Sequence, residues 1–259
     1  MQVTRMRIPY LELDDPFPPP EAAAARPNGL VAAGADLSQQ RLLDAYTNGI
    51  FPWYSEGDPI LWWSPDPRMV LATQDFALRK SLAKRMRALA REGALAIRVD
   101  TDFAGVIQRC AGAREYAHGT WIVPEIARAY LAMHRLGYAH SVEVWRGEHL
   151  VGGLYGMCIG RMFYGESMFT HETDASKIAL AALVHICRSE NIPWIDCQQE
   201  TSHLAFMGAA PMPRSDFLAG LKTLVAQTAV DWQQWHAQDL FAQVLARYDG
   251  FRIPATHTP

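Results

Sequence analysis

The sequence predicts an α+β fold, and two stretches predict it. Residues 141–169, SVEVWRGEHLVGGLYGMCIGRMFYGESMF, read as three successive antiparallel strands: SVEVW alternates, RGEH makes a turn, and LVGGLYGMCI and RMFYGES flank a second turn at Ile159-Gly160-Arg161. An amphipathic helix over 174–190, DASKIALAALVHICRSE, with Asp174 as its cap, leads into a further strand at 193–198, PWIDCQ. Hairpin-paired strands followed by a helix and another strand make a mixed sheet with helices against it.

The other elements follow in chain order. Segment 10–28 carries PFPPPEAAAARPN, where three successive prolines exclude a regular helix and give an extended lead-in. GLVAAG (29–34) is a short apolar strand or turn. Asp36 and Ser38 offer caps for a helix, QQRLLDAYTN, that stops at Gly49. Residues 50–71, IFPWYSEGDPILWWSPDPRMVL, hold four prolines and three tryptophans, so they predict an ordered, aromatic-lined loop with little regular structure. A boundary near Pro67 divides a small N-terminal domain, 1–67, from a main domain, 68–259. From Phe76 the pattern turns helical, with Leu78, Leu82, Met86 and Leu89 on one face. ALAIRV (94–99) reads as a strand; 102–112 and 124–137 read as helices, the second opened by Pro124 and ended by Gly137. TSHLAFMG, RSDFLAGLKTLVAQ and a last amphipathic helix near 231–247 complete the chain, the last as an appended helix packing on the domain.

Composition removes several classes of function. The chain has 259 residues and a mass of 29.0 kDa, with 49% apolar and 20% charged residues, so it is globular and long enough for a core without staples. A net charge of −3 excludes a protein that is basic overall. No uncharged stretch is long and apolar enough to span a bilayer, and MQVTRMRIPYLELDD lacks a signal-peptide core. Cys110, Cys158, Cys187 and Cys197 show no CxxC, which fits reduced thiols and a cytoplasmic setting. In GESMF the position of a nucleophile elbow's closing glycine is Phe169. Neither HExxH nor paired Cys/His spacing is present, so no metal is expected. The turn THETDASK has no glycine to cradle a pyrophosphate, which argues against coenzyme A.

Three features could carry chemistry. Arg79, Lys80, Lys84, Arg85, Arg87 and Arg91 crowd one helix, with no acid between Asp75 and Glu92. Without those six, 18 of the 24 Lys and Arg remain against 27 acids, so this is a basic stripe on an otherwise acidic protein. It is either a solvated face or a phosphate-backbone contact. Asp196 and Gln198 are two apart on a strand and share a face. They form either a polarised acceptor for an amine or a hydrogen-bonded pair capping the next helix; Cys197, pointing away, reads as a small core residue. Glu166 lies amid an apolar strand end, where an acid is salt-bridged or awaits a cationic ligand.

Seven blocks, in order between Pro27 and Leu218, resemble the leucyl/phenylalanyl-tRNA–protein transferases. They are the segment 29–71, HGTWI (118–122), GYAHSVEVW (137–145), LVGGLYG (150–156), FYGESMF (163–169), ASKIAL (175–180) and IDCQxxxxHLxxxGA (195–209). The resemblance implies transfer of Leu, Phe or, less often, Met from aminoacyl-tRNA to the N-terminal Arg or Lys of acceptor proteins, marking them for N-end rule degradation. It implies a small N-terminal domain and an acetyltransferase-like (GNAT-type) C-terminal domain, with no cofactor; a monomer is expected. Residue by residue, it implies catalysis by Asp196 and Gln198, and recognition of the donor's amino group by Glu166. Leu154 and Phe163 would line the side-chain pocket. Trp53 and Trp121 would hold the 3′-terminal adenosine, with Tyr46 nearby, and the basic helix would grip the acceptor stem. Trp62, Trp63 and Trp145 read as buried packing. The rival readings are a coenzyme A-dependent small-molecule acyltransferase and a non-catalytic tRNA-binding module.

Overall fold

The first quarter of the chain places its aromatics on a small sheet. In the computed structural model, which describes residues 8–93, 95–118 and 122–249, β1 (Tyr10–Leu11), β2 (Leu30–Gly34), β3 (Phe51–Pro52) and β4 (Leu61–Trp63) pair in the order β1-β2-β4-β3. Helix α1 (Gln39–Thr47) lies between β2 and β3, and Ser38 Oγ accepts from Arg41 N at 3.3 Å to open it. The tryptophan-rich segment is therefore more regular than its prolines suggest. Trp62 is fully buried and donates Nε1–H to Gly34 O at 2.9 Å; Trp63 donates to Trp53 O at 2.6 Å.

Arg68 starts a second, mixed sheet. It contains β5 (Arg68–Ala72), β6 (Ala96–Val99), β7 (Ala139–Arg146), β8 (His149–Ile159), β9 (Met162–Thr170), β10 (Trp194–Gln198) and β11 (Ala210–Met212), in the order β11-β5-β10-β9-β8-β7-β6. The helices α2 (Lys80–Arg91), α3 (Phe103–His118), α4 (Pro124–Arg135), α5 (Ala175–Ser189), α6 (Ser202–Phe206), α7 (Arg214–Val225) and α8 (Leu240–Asp249) flank it. Along β8 every residue after His149 is buried, because helices cover both faces, α3 on one and α5 on the other. One core joins α1, α3, α4 and the small sheet to Tyr155 and Tyr164; a second joins α2, α5 and α8 to Leu154, Phe163 and Ile195. Leu78, Leu82, Met86 and Leu89 are buried, as their spacing predicts.

Two local expectations fail. Asp174 stands at the N-cap of α5, but its side chain makes no capping hydrogen bond. Its backbone is left-handed (φ 68°), and its carboxylate binds Lys177 Nζ at 2.7 Å and faces Arg85 Nε at 3.8 Å. The C-terminal segment is not one helix. Asp231 accepts from Gln233 N to start a 3₁₀ turn at Trp232–Trp235, and Asp239 accepts from Ala242 N to start α8 separately. Two acids that cap locally break a run that amphipathicity alone reads as continuous.

Candidate active site

A cavity of about 380 Å³ opens where β9 and β10 part. The two strands pair in parallel at Ile195–Phe163 and Asp196–Tyr164. Beyond that, each strand departs from regular pairing. On β9, Tyr155 of β8 faces Ser167 and Gly156 faces Gly165, so Glu166 is an extra residue bulged out of the ladder. Gly156 makes the bulge possible: a Cβ there would sit 2.1 Å from Tyr164 O and 2.6 Å from the Phe163 ring. On β10, Asp196 pairs with Val70 and Gln198 with Met69, so Cys197 is the extra residue, and Gln198 takes φ 62°. The cavity wall includes Leu154, Met168, Leu180, Leu183 and Ile195, with Glu166 and Gln198 among its polar groups.

Glu166 is held without a salt bridge among the described residues. Its Oε1 accepts from Tyr46 Oη at 2.6 Å and Gln198 Nε2 at 3.1 Å, and its Oε2 accepts from Tyr130 Oη at 3.0 Å. The two phenol oxygens also lie in close contact, but each has a single proton and gives it to Glu166. Burial raises the Glu166 carboxyl to about 7, against the downward pull of the three donors and with a further push from the charge of Asp196. The same burial, with Glu166 close by, raises both phenols well above their usual range, so they remain donors.

Asp196 departs from the expected side-by-side arrangement. It is fully buried and absent from the cavity wall. Both of its oxygens bind Arg68, Oδ1 to Nε at 2.8 Å and Oδ2 to Nη2 at 2.6 Å. The guanidinium also donates to Gly49 O at 3.0 Å and lies over the rings of Phe51 and Phe217. Asp196 Oδ1 accepts from the backbone N–H of Gln198 at 2.8 Å, whereas the side-chain amide of Gln198 turns to Glu166. The bulge breaks the two-residue alternation, so Asp196 shapes the turn that carries Gln198 and does not touch its amide. Cys197, expected in the core, lines the cavity half-buried; burial pushes its thiol up to about 12, so it stays protonated.

The other predicted residues divide. Leu154 and Trp53 line the cavity; Trp53 is 39% exposed and packs edge-on against Trp63. Tyr46 lies behind Glu166. Phe163, expected in the pocket, is fully enclosed and packs on Trp232, in the space that Gly156 leaves. Trp121 lies outside the described residues. Arg79, Lys80, Lys84, Arg85, Arg87 and Arg91 are all exposed. Sequence reasoning missed Tyr130, which shares the apolar face of α4 with Ile126 and Met133 and reads as core. It also missed Arg68, whose partner is 128 residues away. Among the described residues no group of His, Cys, Asp and Glu could hold a metal, and no helix is long and apolar enough to cross a membrane.

Comparison with known proteins bears on this geometry. The sequence profile of leucyl/phenylalanyl-tRNA protein transferases matches residues 70–222, and that of their N-terminal domain matches 35–66. The leucyl/phenylalanyl-tRNA–protein transferase of Bordetella avium (strain 197N) is 57% identical over 233 residues, covering 88% of this chain and 93% of that one. The protein of the same name from Janthinobacterium sp. (strain Marseille) is 52% identical over 235 residues, covering 87% and 96%. Among solved structures, the C-terminal domain of a putative lysylphosphatidylglycerol synthetase from Agrobacterium fabrum aligns over 74% of this chain and 57% of that one, at 9% identity and a TM-score of 0.37, too slight a likeness to bear on the site. With a profile matched over more than half its length and relatives this similar along most of theirs, the chain belongs to the leucyl/phenylalanyl-tRNA–protein transferase family.

Proposed function

We propose that this chain moves Leu or Phe, and less often Met, from aminoacyl-tRNA to the N-terminal Arg or Lys of acceptor proteins, marking them for N-end rule degradation in the cytoplasm, and that it acts as a monomer. One observation carries the reading. A buried carboxylate, Glu166, has three neutral donors and, among the described residues, no cation, and it stands on the wall of an apolar cavity. An α-ammonium group beside an apolar side chain would complete both halves of that site.

In this mechanism Glu166 holds the donor's α-ammonium, while Leu154, Met168, Leu180, Leu183 and Ile195 enclose its side chain. An unbranched Cβ suits a narrow slot, which favours Leu, Phe and Met over Ile and Val. Trp53 offers a stacking face to the terminal adenine, worth about 1–3 kcal/mol per base. The acceptor's amine nitrogen attacks the ester carbonyl carbon, the bond to the ribose oxygen breaks, and that oxygen or water takes the amine's proton. Because a carboxylate only accepts, the Gln198 NH₂ must face Glu166. That leaves Gln198 Oε1 to accept a hydrogen bond from the incoming amine. A carboxamide is too weak a base to remove the proton, so Gln198 orients the nucleophile, and Asp196 acts through it as a positioning residue. The ester is already activated, so alignment of the two substrates, worth up to about 7–11 kcal/mol, is the main requirement.

The test is a transfer assay with labelled Leu or Phe on tRNA. Label should move to peptides that start with Arg or Lys and not to one that starts with Gly. Gln198→Ala should lower turnover while aminoacyl-tRNA still binds; equal turnover in wild type and variant rejects the role of Gln198.

A further inference from the structure

We infer that Arg79 is a positioning residue that ties the basic helix to the rim of the donor cavity, instead of a contact to tRNA phosphates. The inference rests on the transferase reading above and names a part of the same site.

Arg79 stands at the N-cap of α2 with an extended backbone, φ −66° and ψ 146°, so its side chain leaves the helix. It reaches α6, which is 127 residues further along the chain. Its Cζ lies 3.7 Å from the centroid of the Phe206 ring, and its Nη2 donates to Phe206 O at 3.2 Å. A guanidinium can do both at once because it is planar: its face covers the ring while its edge meets the carbonyl. Phe206 is 52% exposed, so this cation shields a ring that otherwise faces water.

What Arg79 holds is a cavity wall. Leu204 of α6 and the preceding Thr201 both line the cavity, and Leu204 N donates to Thr201 Oγ1 at 3.2 Å. The turn after α6 approaches the loop before α2 closely, since a Cβ on Gly208 would sit 3.1 Å from Asp75 O. That loop is itself anchored: Arg188 of α5 donates to Thr73 O, Gln74 O and Phe76 O at 2.8–3.2 Å. The base of α2 is therefore fixed to the domain, and Arg79 extends that fixed point to α6. Losing it frees the wall that Leu204 and Thr201 form around the aminoacyl end, while the exposed cations further along α2 keep their places.

Two donors separate this role from phosphate binding: aminoacyl-tRNA, and 3′-aminoacyl-adenosine, which fills the cavity but has no stem. In R79A, KM should rise about tenfold for both donors, with the salt slope of tRNA binding unchanged. R79K keeps the charge but not the planar fork, so it should behave like R79A. F206A should match R79A, and the double variant should be no worse than either single one, because both remove one contact. F206A, altering an exposed ring, still decides the matter if R79A does not fold. The inference is overturned by a KM rise confined to full tRNA, by rescue in R79K, by a salt slope flattened by about 0.7–0.9 in R79A, or by unchanged KM in F206A. A wild-type chain that uses neither donor refutes the transferase reading and the inference with it; a wild type active on both, with variants that match it, refutes the Arg79 assignment alone.

Discussion

Replacing Asp196 by alanine should destabilise the protein before it says anything about chemistry. The Arg68–Asp196 pair is 0% and 1% exposed, and it is joined by two hydrogen bonds of 2.8 and 2.6 Å. Desolvating two charges costs several kcal/mol, and the pair recovers this only through such geometry. Removing the carboxylate strands the guanidinium between Phe51 and Phe217, with Gly49 O as its remaining partner. That costs about 3–5 kcal/mol, which corresponds to a fall in Tm of roughly 6–20 °C in a chain of this size. The Gln198 N–H loses its acceptor as well, so the left-handed turn that aims the amide loosens and turnover falls. The assay is thermal unfolding by circular dichroism beside transfer turnover, for Asp196→Ala and for Arg68→Met combined with Asp196→Leu. An apolar pair of similar volume removes the stranded charge, so the double variant should recover most of the Tm but not the turnover. Asp196→Ala with wild-type Tm and no turnover would refute this reasoning and give Asp196 a direct part in the reaction.

Other predictions concern charge. Changing Lys80 and Lys84 to Gln should weaken aminoacyl-tRNA binding and flatten the plot of log affinity against log salt by about 1–2, at roughly 0.7–0.9 per phosphate lost; an unflattened slope removes α2 from the interface. Donor KM should rise as pH falls below about 7, because burial raises the Glu166 carboxyl to about 7 and the protonated acid no longer pairs with an ammonium; a flat profile from pH 6 to 8 refutes that pairing. For stability the sign is opposite to that of an ion-paired acid. With the carboxyl raised from 4.5 to about 7, the ionised form is penalised in the folded state. The cost is absent below about pH 4.5 and reaches about 3 kcal/mol above about pH 7. Glu166→Gln should therefore be more stable than wild type at pH 8 and no more stable at pH 4, by urea unfolding at each pH.

Much of the architecture was legible because burial leaves a period in the sequence. The apolar spacing of Leu78, Leu82, Met86 and Leu89 places α2, and the run LVGGLYGMCI, apolar on both sides, already marks a strand covered on both faces. Glu166 was legible for the same reason: a carboxylate amid buried apolar residues needs an explanation wherever the chain goes. Errors fell where one side chain overrides a pattern, as at the left-handed Asp174, the capping acids Asp231 and Asp239, and the sheet built from a proline-rich stretch.

The sequence alone marked the apolar faces that are buried and one acid, Glu166, set among them, since hydrophobic period and composition are local properties. Only the tertiary structure decided what that acid meets. Tyr46 and Tyr130 lie 120 and 36 residues from Glu166 along the chain, and Arg68 lies 128 residues from Asp196. The face on which Asp196 and Gln198 work depends on a bulge, and a bulge is set by how two strands pair, so no period two within β10 could have shown it. Contacts between distant segments form because the sheet brings them together, and the sheet's register is a property of the whole fold.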